Sequence, residues 1–320
     1  MTWSAISKLL GILATLFAAW LLWRVLSRYD AAEIFLALRR LGPVDVLLAL
    51  FFAGLSFAFL SLGEFCAVRY AGQKVGVRRV ARTAVAAIGI GHAVGLAALS
   101  SGAIRYRMYG RAGVPLAGLG RIMLFAGFTV AAGMTVVGGV AMVARPQAIA
   151  ALIGLGVPGV RAAGLALLAL AAGYLALCAL HLRALQIGRL ALALPSWKLA
   201  AVQTLAGAGN YAAVAGCLYA CLRPFAEADY PTVATLFVGA DATALIGHVP
   251  GGWGVLEYVL TAALHQPHLI AGILVFRSIY YLLPLFAGLA VFVHDEVAQW
   301  RARHADGGNA PPGAAAGLPR

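Results

Sequence analysis

The sequence predicts an all-α polytopic membrane protein, with about six full transmembrane helices plus two re-entrant helical hairpins arranged as an inverted repeat. Three observations lead there. The 320 residues are 62% hydrophobic and only 11% charged, where a soluble domain carries about a quarter charged residues. Apolar runs of about 18 residues or more recur, the length that crosses hydrocarbon as a helix. Helices are the default because lipid offers no partner for an unpaired backbone group, and the alternating ten-residue segments of a β-barrel are missing from the sequence. Finally, two apolar segments carry related glycine-histidine patterns, Gly91-His92-Ala93-Val94-Gly95 and Gly247-His248-Val249-Pro250-Gly251, close to half the chain apart.

Taken in order, full spans fall at 7–26, 44–63, 119–143, 160–182, 198–221 and 269–294. The first is too long for a typical signal-peptide core and runs into Arg24 and Arg28, so it reads as a retained span. Between the first two spans, Asp30 and Glu33 with the spacing of Ile34, Leu38 and Leu41 suggest an amphipathic surface helix. The segments 83–101 and 232–265 differ from the spans. The first breaks at Ser100-Ser101-Gly102 and turns into Arg105-Tyr106-Arg107; the second is broken by Pro250-Gly251-Gly252. Interrupted backbone at membrane depth is tolerated where protein or a wet cavity covers it, so both read as hairpins. Each half then holds three full spans and one hairpin, an odd number of crossings that inverts the second half, as in transporters with broken helices near the midplane. Residues 1–296 form one transmembrane domain with pseudo-repeats at 7–143 and 160–294, and 297–320 is expected to be a disordered cytoplasmic tail.

The formal net charge is +13. In a soluble protein this raises nucleic acid as a partner; here it fits basic loops that orient the chain and meet anionic lipid heads. With both termini inside and both hairpins returning to the side they enter from, 16 Lys and Arg lie inside and 7 outside, with Arg277 inside a span. Cys66, Cys178, Cys217 and Cys221 show no zinc spacing and read as apolar fillers. No GxxxxGK[ST] loop, HExxH helix or Ser-His-Asp order is present, so neither an ATP motor, a metal nor a cofactor is expected, and the chain is not read as an enzyme.

Two groups of residues can carry function. Ser101, Gly102, Arg105, Tyr106 and Arg107 suit a lipid phosphate head group, since a guanidinium grips phosphate with parallel hydrogen bonds and hydroxyl and backbone donors lie beside it. An ordinary positive-inside loop explains the same residues. The second group is Asp241, His248, Pro250, Gly251, Gly252, Glu257, Arg277, Tyr280 and Tyr281. Intramembrane charges are costly and mark function by default, and Arg277 lies about 12 Å into the last span at the usual helical rise. These residues read as a partly wet translocation cavity or as a Glu257–Arg277 ion pair that staples hairpin to span; the two are compatible. His92 and His248 are proton-sensitive in principle, though a histidine in a helix break also serves to satisfy a carbonyl.

Three stretches, SSGAIRYRMYGRAGV, HVPGGWGVLE and FRSIYYLLPLFAG, resemble the lysylphosphatidylglycerol synthase transmembrane-domain family. That family includes the flippase domain of the bacterial multiple peptide resistance factor and its stand-alone relatives. The matching positions are Ser101, Gly102 and Arg105; then Pro250, Gly251, Gly252, Gly254 and Glu257; then Arg277, Tyr280, Tyr281 and Pro284. Ala103 departs from the pattern, standing where a second glycine is common. The resemblance implies a bacterial inner-membrane protein, and the 16-to-7 split of basic residues favours N- and C-termini cytoplasmic. The resemblance also implies flipping of a phospholipid, aminoacylated or anionic, or of a polyprenyl-linked lipid. The soluble aminoacyl-transferase domain of that factor has no counterpart in this sequence. Expected partners are membrane lipids and a separate lipid-modifying enzyme, with a homodimer left open. The alternatives are a non-transporting lipid-binding scaffold for such an enzyme, or a membrane-embedded lipid enzyme using Glu257, Asp241 or His248 as acid or base.

Overall fold

Proline at a first helical turn and an acid beside it start a helix cleanly, and that is how the longest early element begins. In the computed structural model, which describes residues 31–94, 97–180, 184–187, 190–247, 249–266 and 268–307, Pro43 opens a 28-residue helix with Asp45 in its first turn. The described helices are α1 (Ala31–Arg40), α2 (Pro43–Tyr70), α3 (Val77–Val94), α4 (Ala97–Gly110), α5 (Leu116–Ala144), α6 (Gln147–Ile153), α7 (Val157–Ala179), α8 (Trp197–Leu222), α9 (Tyr230–Ile246) and α10 (Val255–Leu264). They are followed by α11 (Leu269–Arg277) and α12 (Leu283–Gly307), joined by a π-helical turn over Ser278–Leu282.

The protein is an all-α polytopic membrane protein. Five helical segments are long and apolar enough to cross a bilayer: α2, α5, α7, α8 and the continuous Leu269–Arg301. They coincide with five of the six expected spans; the span expected at 7–26 lies outside the described residues. The expected surface helix is α1, which turns Ala37 and Leu41 into the core and leaves Phe35 and Leu36 exposed. Sequence patterning did not foresee a short antiparallel ribbon between α7 and α8, β1 (Ala184–Ile187) with β2 (Leu190–Ala193), in which Ala184 pairs with Ala193. Tyr70 donates its hydroxyl hydrogen to the Ala193 carbonyl at 2.7 Å. The last helix also runs on to Gly307, past residue 297 where a disordered tail was expected.

Both interrupted segments fold back on themselves: α3 packs on α4 and α9 on α10. The second breaks where its glycines predict, at a 3-10 turn over Pro250–Gly252. Gly251, Gly252 and Gly254 all have positive φ, the backbone region that glycine enters without steric cost. The first does not break at Ser100-Ser101-Gly102. That tripeptide lies inside α4, where Gly102 packs against Met123 of α5, whose Cε would sit 2.7 Å from a Cβ there.

The central helices α2 and α8 pack on each other, while each hairpin packs on the final span of the other half, α3 on α12 and α9 on α5. α8 is the central post, with 72% of its most apolar stretch buried against 11% for α7, which faces outward. Close approach of α5 and α8 rests on two glycines, since a Cβ on Gly133 would lie 2.3 Å from the Gly207 carbonyl oxygen. Small residues of this kind let membrane helices gain contact where no hydrophobic force drives them together.

Candidate functional site

Each hairpin carries a buried arginine–glutamate pair, and the two pairs are built in opposite senses. In the first, the arginine is on the hairpin. Arg105 Nε and Nη2 donate to both oxygens of Glu64 on α2, with shortest distances of 2.9 and 2.7 Å, and the Tyr109 hydroxyl adds a third hydrogen bond to Oε1 at 2.9 Å. The side chains of Arg105 and Glu64 are 7% and 1% exposed. Arg105 therefore does not reach the membrane surface, where its charge predicts it; Glu64, one residue beyond the predicted end of its span, draws it inside. Tyr106 and Arg107 do not converge with it. Tyr106 is exposed, and Arg107 is an exposed side chain paired through two hydrogen bonds to Glu296 at 2.7 and 2.8 Å. Successive helical residues point about 100° apart, so Arg105, Tyr106 and Arg107 address three directions. Arg111 reinforces the strap to α12 through Asp295 at 3.0 Å and Glu296 at 2.6 Å.

In the second hairpin the carboxylate is on the hairpin and the arginine on the span. Arg277, at 1% exposure, donates from Nε to Glu257 Oε1 at 2.8 Å and from Nη2 to Oε2 at 3.1 Å. It also donates to the carbonyls of Gly251 and Gly252 at 3.1 and 3.2 Å. Its guanidinium carbon stacks 4.1 Å from the Trp253 ring centre, a cation–π contact strengthened by desolvation. Glu257 in turn accepts from the Gly254 amide at 2.9 Å. The glycine turn, which leaves its carbonyls without helical partners, is thus completed by the arginine of the last span. The stapling reading of Glu257–Arg277 is what the geometry shows.

Between the two hairpins lies a cavity of about 540 Å³. Its polar lining is His92 from α3, Asn210 and Tyr211 from α8, Asp241 from α9, Arg277, Tyr280 and Tyr281 from the last span, and the backbone of Gly251 and Gly252. The expected cavity residues Asp241, Gly251, Gly252, Arg277, Tyr280 and Tyr281 are therefore brought together. Glu257 stands behind Arg277 and does not line the cavity. Pro250 opens the turn, and His248 lies outside the described residues. Tyr280 and Tyr281 follow Arg277 within the π-helical turn, a distortion frequent at functional sites. Ser56 Oγ donates to Asn210 Oδ1 at 2.6 Å, which leaves Tyr280 to donate to Ser56 at 2.9 Å. Tyr211 donates to Asp241 Oδ2 at 2.6 Å. Where the cavity meets the surface, its lining includes Leu99 and Leu245, 73% and 60% exposed.

Asn210, Tyr211 and Glu64 were not singled out from sequence, although a polar residue inside an apolar run is the signal that could have found them. Outside the spans, Asp229 caps the first turn of α9 by accepting from the Thr232 amide at 3.0 Å and receives Arg145 at 2.5 Å. Hydrogen bonds from Thr232, then from Arg145, hold its carboxyl down at about 2. Among the described residues no group of three or more His, Cys, Asp or Glu is placed to hold a metal ion.

No family model matches the chain. Over 235 residues, covering 72% of this chain and 73% of the relative, it is 26% identical to a protein of Synechocystis named uncharacterized protein slr0712. Over 275 residues, 83% of this chain and 85% of the relative, it is 28% identical to a protein of Escherichia coli named inner membrane protein YbhN.

Proposed function

We propose that the protein is a lipid translocase of the bacterial inner membrane, moving a phospholipid or a polyprenyl-linked lipid between leaflets. The observation that carries this reading is the cavity between the two interrupted helices, mainly apolar but with Asn210, Tyr211, Asp241 and Arg277 on its wall, and bordered by exposed Leu99 and Leu245. A head group fits against these polar groups while acyl chains stay against the apolar wall and rim. The likeness to an E. coli protein named for the inner membrane supports the location, and the three motifs shared with the lysylphosphatidylglycerol synthase transmembrane family support the substrate class. In this reading Arg277 is the cation that meets the lipid phosphate, because it alone among the described lining residues carries a fixed positive charge. Arg105 positions the first hairpin through Glu64. The chain itself changes no bond in the lipid.

The test is transfer of fluorescent lipids in proteoliposomes, read by quenching of the outer leaflet. The expected result is transfer above empty vesicles for at least one anionic, zwitterionic or aminoacylated lipid, lost in Arg277→Ala, with lipids recovered chemically unchanged. No transfer above empty vesicles across that panel sinks the reading. Transfer that appears only when a lipid-modifying enzyme is reconstituted alongside supports a scaffold instead.

A further inference from the structure

We infer that Asp241 is a proton-binding site whose protonation accompanies the arrival of a lipid phosphate in the cavity, so that lipid and proton move together. This rests on the translocase reading above and adds the source of its drive. The argument is a charge inventory. Arg277 is already matched by Glu257 and by two glycine carbonyls. Asp241 lines the same cavity, has no ion-pair partner among the described residues, and accepts a hydrogen bond from the neutral Tyr211 phenol. Among the described residues, the titratable groups that face it across the cavity are Tyr211 from α8, His92 from α3, and Arg277, Tyr280 and Tyr281 from the last span. Among the described residues, the linings from α5, from α10 and from the glycine turn carry no titratable side chain.

An ionised Asp241 and an incoming phosphate are like charges in one small, poorly solvated space, and such pairs do not both stay ionised. The phosphate diester has no proton affinity near neutrality, so the carboxylate is the group that yields. It takes one proton from the facing solution when the phosphate seats, and releases it when the phosphate leaves on the other side. Phosphate monoanion and proton together carry no net charge, which removes the cost of moving a lone anion across the membrane centre. By linkage, lipid binding and proton binding strengthen each other equally.

Two measurements test this on the full-length protein. In proteoliposomes carrying fluorescent phosphatidylglycerol, wild-type transfer is expected to fall by about tenfold per pH unit on its alkaline side, the slope of one proton. Asp241→Asn loses that slope and Asp241→Glu restores it. In detergent and weak buffer, a pH dye is expected to report about one proton taken up per short-chain phosphatidylglycerol bound by wild type, and none by Asp241→Asn. A pH-independent wild-type rate, a persisting slope in Asp241→Asn, or a Na⁺ requirement at fixed pH overturns the proton site while lipid transfer stands. Proton uptake on binding without transfer keeps Asp241 and overturns the translocase reading. Neither binding nor uptake overturns both. The wild-type slope and uptake decide the matter even where a variant does not fold.

Discussion

At the residue scale, the two buried arginines differ in what surrounds them. Arg105 is closed in by Glu64 and Tyr109, whereas Arg277 lines the cavity. Removing one partner of a buried pair leaves an uncompensated charge and costs about 3–5 kcal/mol. Glu64→Ala and Arg105→Ala are each expected to lower stability by that amount in a fluorescence-detected melt, and the double variant by much less than the sum, because the residues act as one unit. Sequence missed this pair for a physical reason. Local hydropathy ends the span just before Glu64, but α2 continues to Tyr70, and a guanidinium 41 residues away meets that charge. Asn210 and Tyr211 were hidden the same way, since their partners Ser56 and Asp241 lie 154 and 30 residues off. Asp229 carries a pH signature. Its carboxyl is held at about 2, below the ordinary 3.8. A depressed carboxyl stabilises the fold above its unfolded value and loses that contribution as pH falls through the folded one. Asp229→Asn, which keeps the cap oxygen, is therefore expected to melt lower than wild type above about pH 4, with the difference vanishing toward pH 2, in melts run across that window.

At the element scale, the spans and the second hairpin were legible because hydrophobic length and a Pro-Gly-Gly interruption are local properties. The first hairpin was half legible. Its fold-back was expected, but Ser100-Ser101-Gly102 belongs to α4, and the space for Gly102 is set by Met123 on a different helix. The glycines divide by what faces them. Gly133 abuts the Gly207 backbone, whereas Gly173 faces nothing within 4 Å. Gly133→Leu is expected to cost at least about 1–3 kcal/mol through forced separation of α5 and α8, and Gly173→Leu to be tolerated. Parallel melts of the two variants check the contrast.

At the scale of the whole molecule, three membrane-length helices, α5, α7 and α8, separate the loop after α4 from the loop after α8, which puts the two loops on opposite faces. The four native cysteines are all buried, so single added cysteines report cleanly. In intact spheroplasts an impermeant maleimide is expected to label Ala226→Cys directly and Gly113→Cys only after permeabilisation; the reverse pattern turns the chain over. The π-helical turn over Ser278–Leu282 has a consequence for the whole assembly. Before it, Arg277 grips the second hairpin; after it, Gly288 lies against the first, where a Cβ would come 3.0 Å from the Val85 carbonyl oxygen. The turn works as a phase shifter that lets one rod mesh with two gears set at different angles. Were the same residues to run as uniform α-helix, everything downstream would turn by about 100°. The last span can then engage one hairpin or the other, but not both at once.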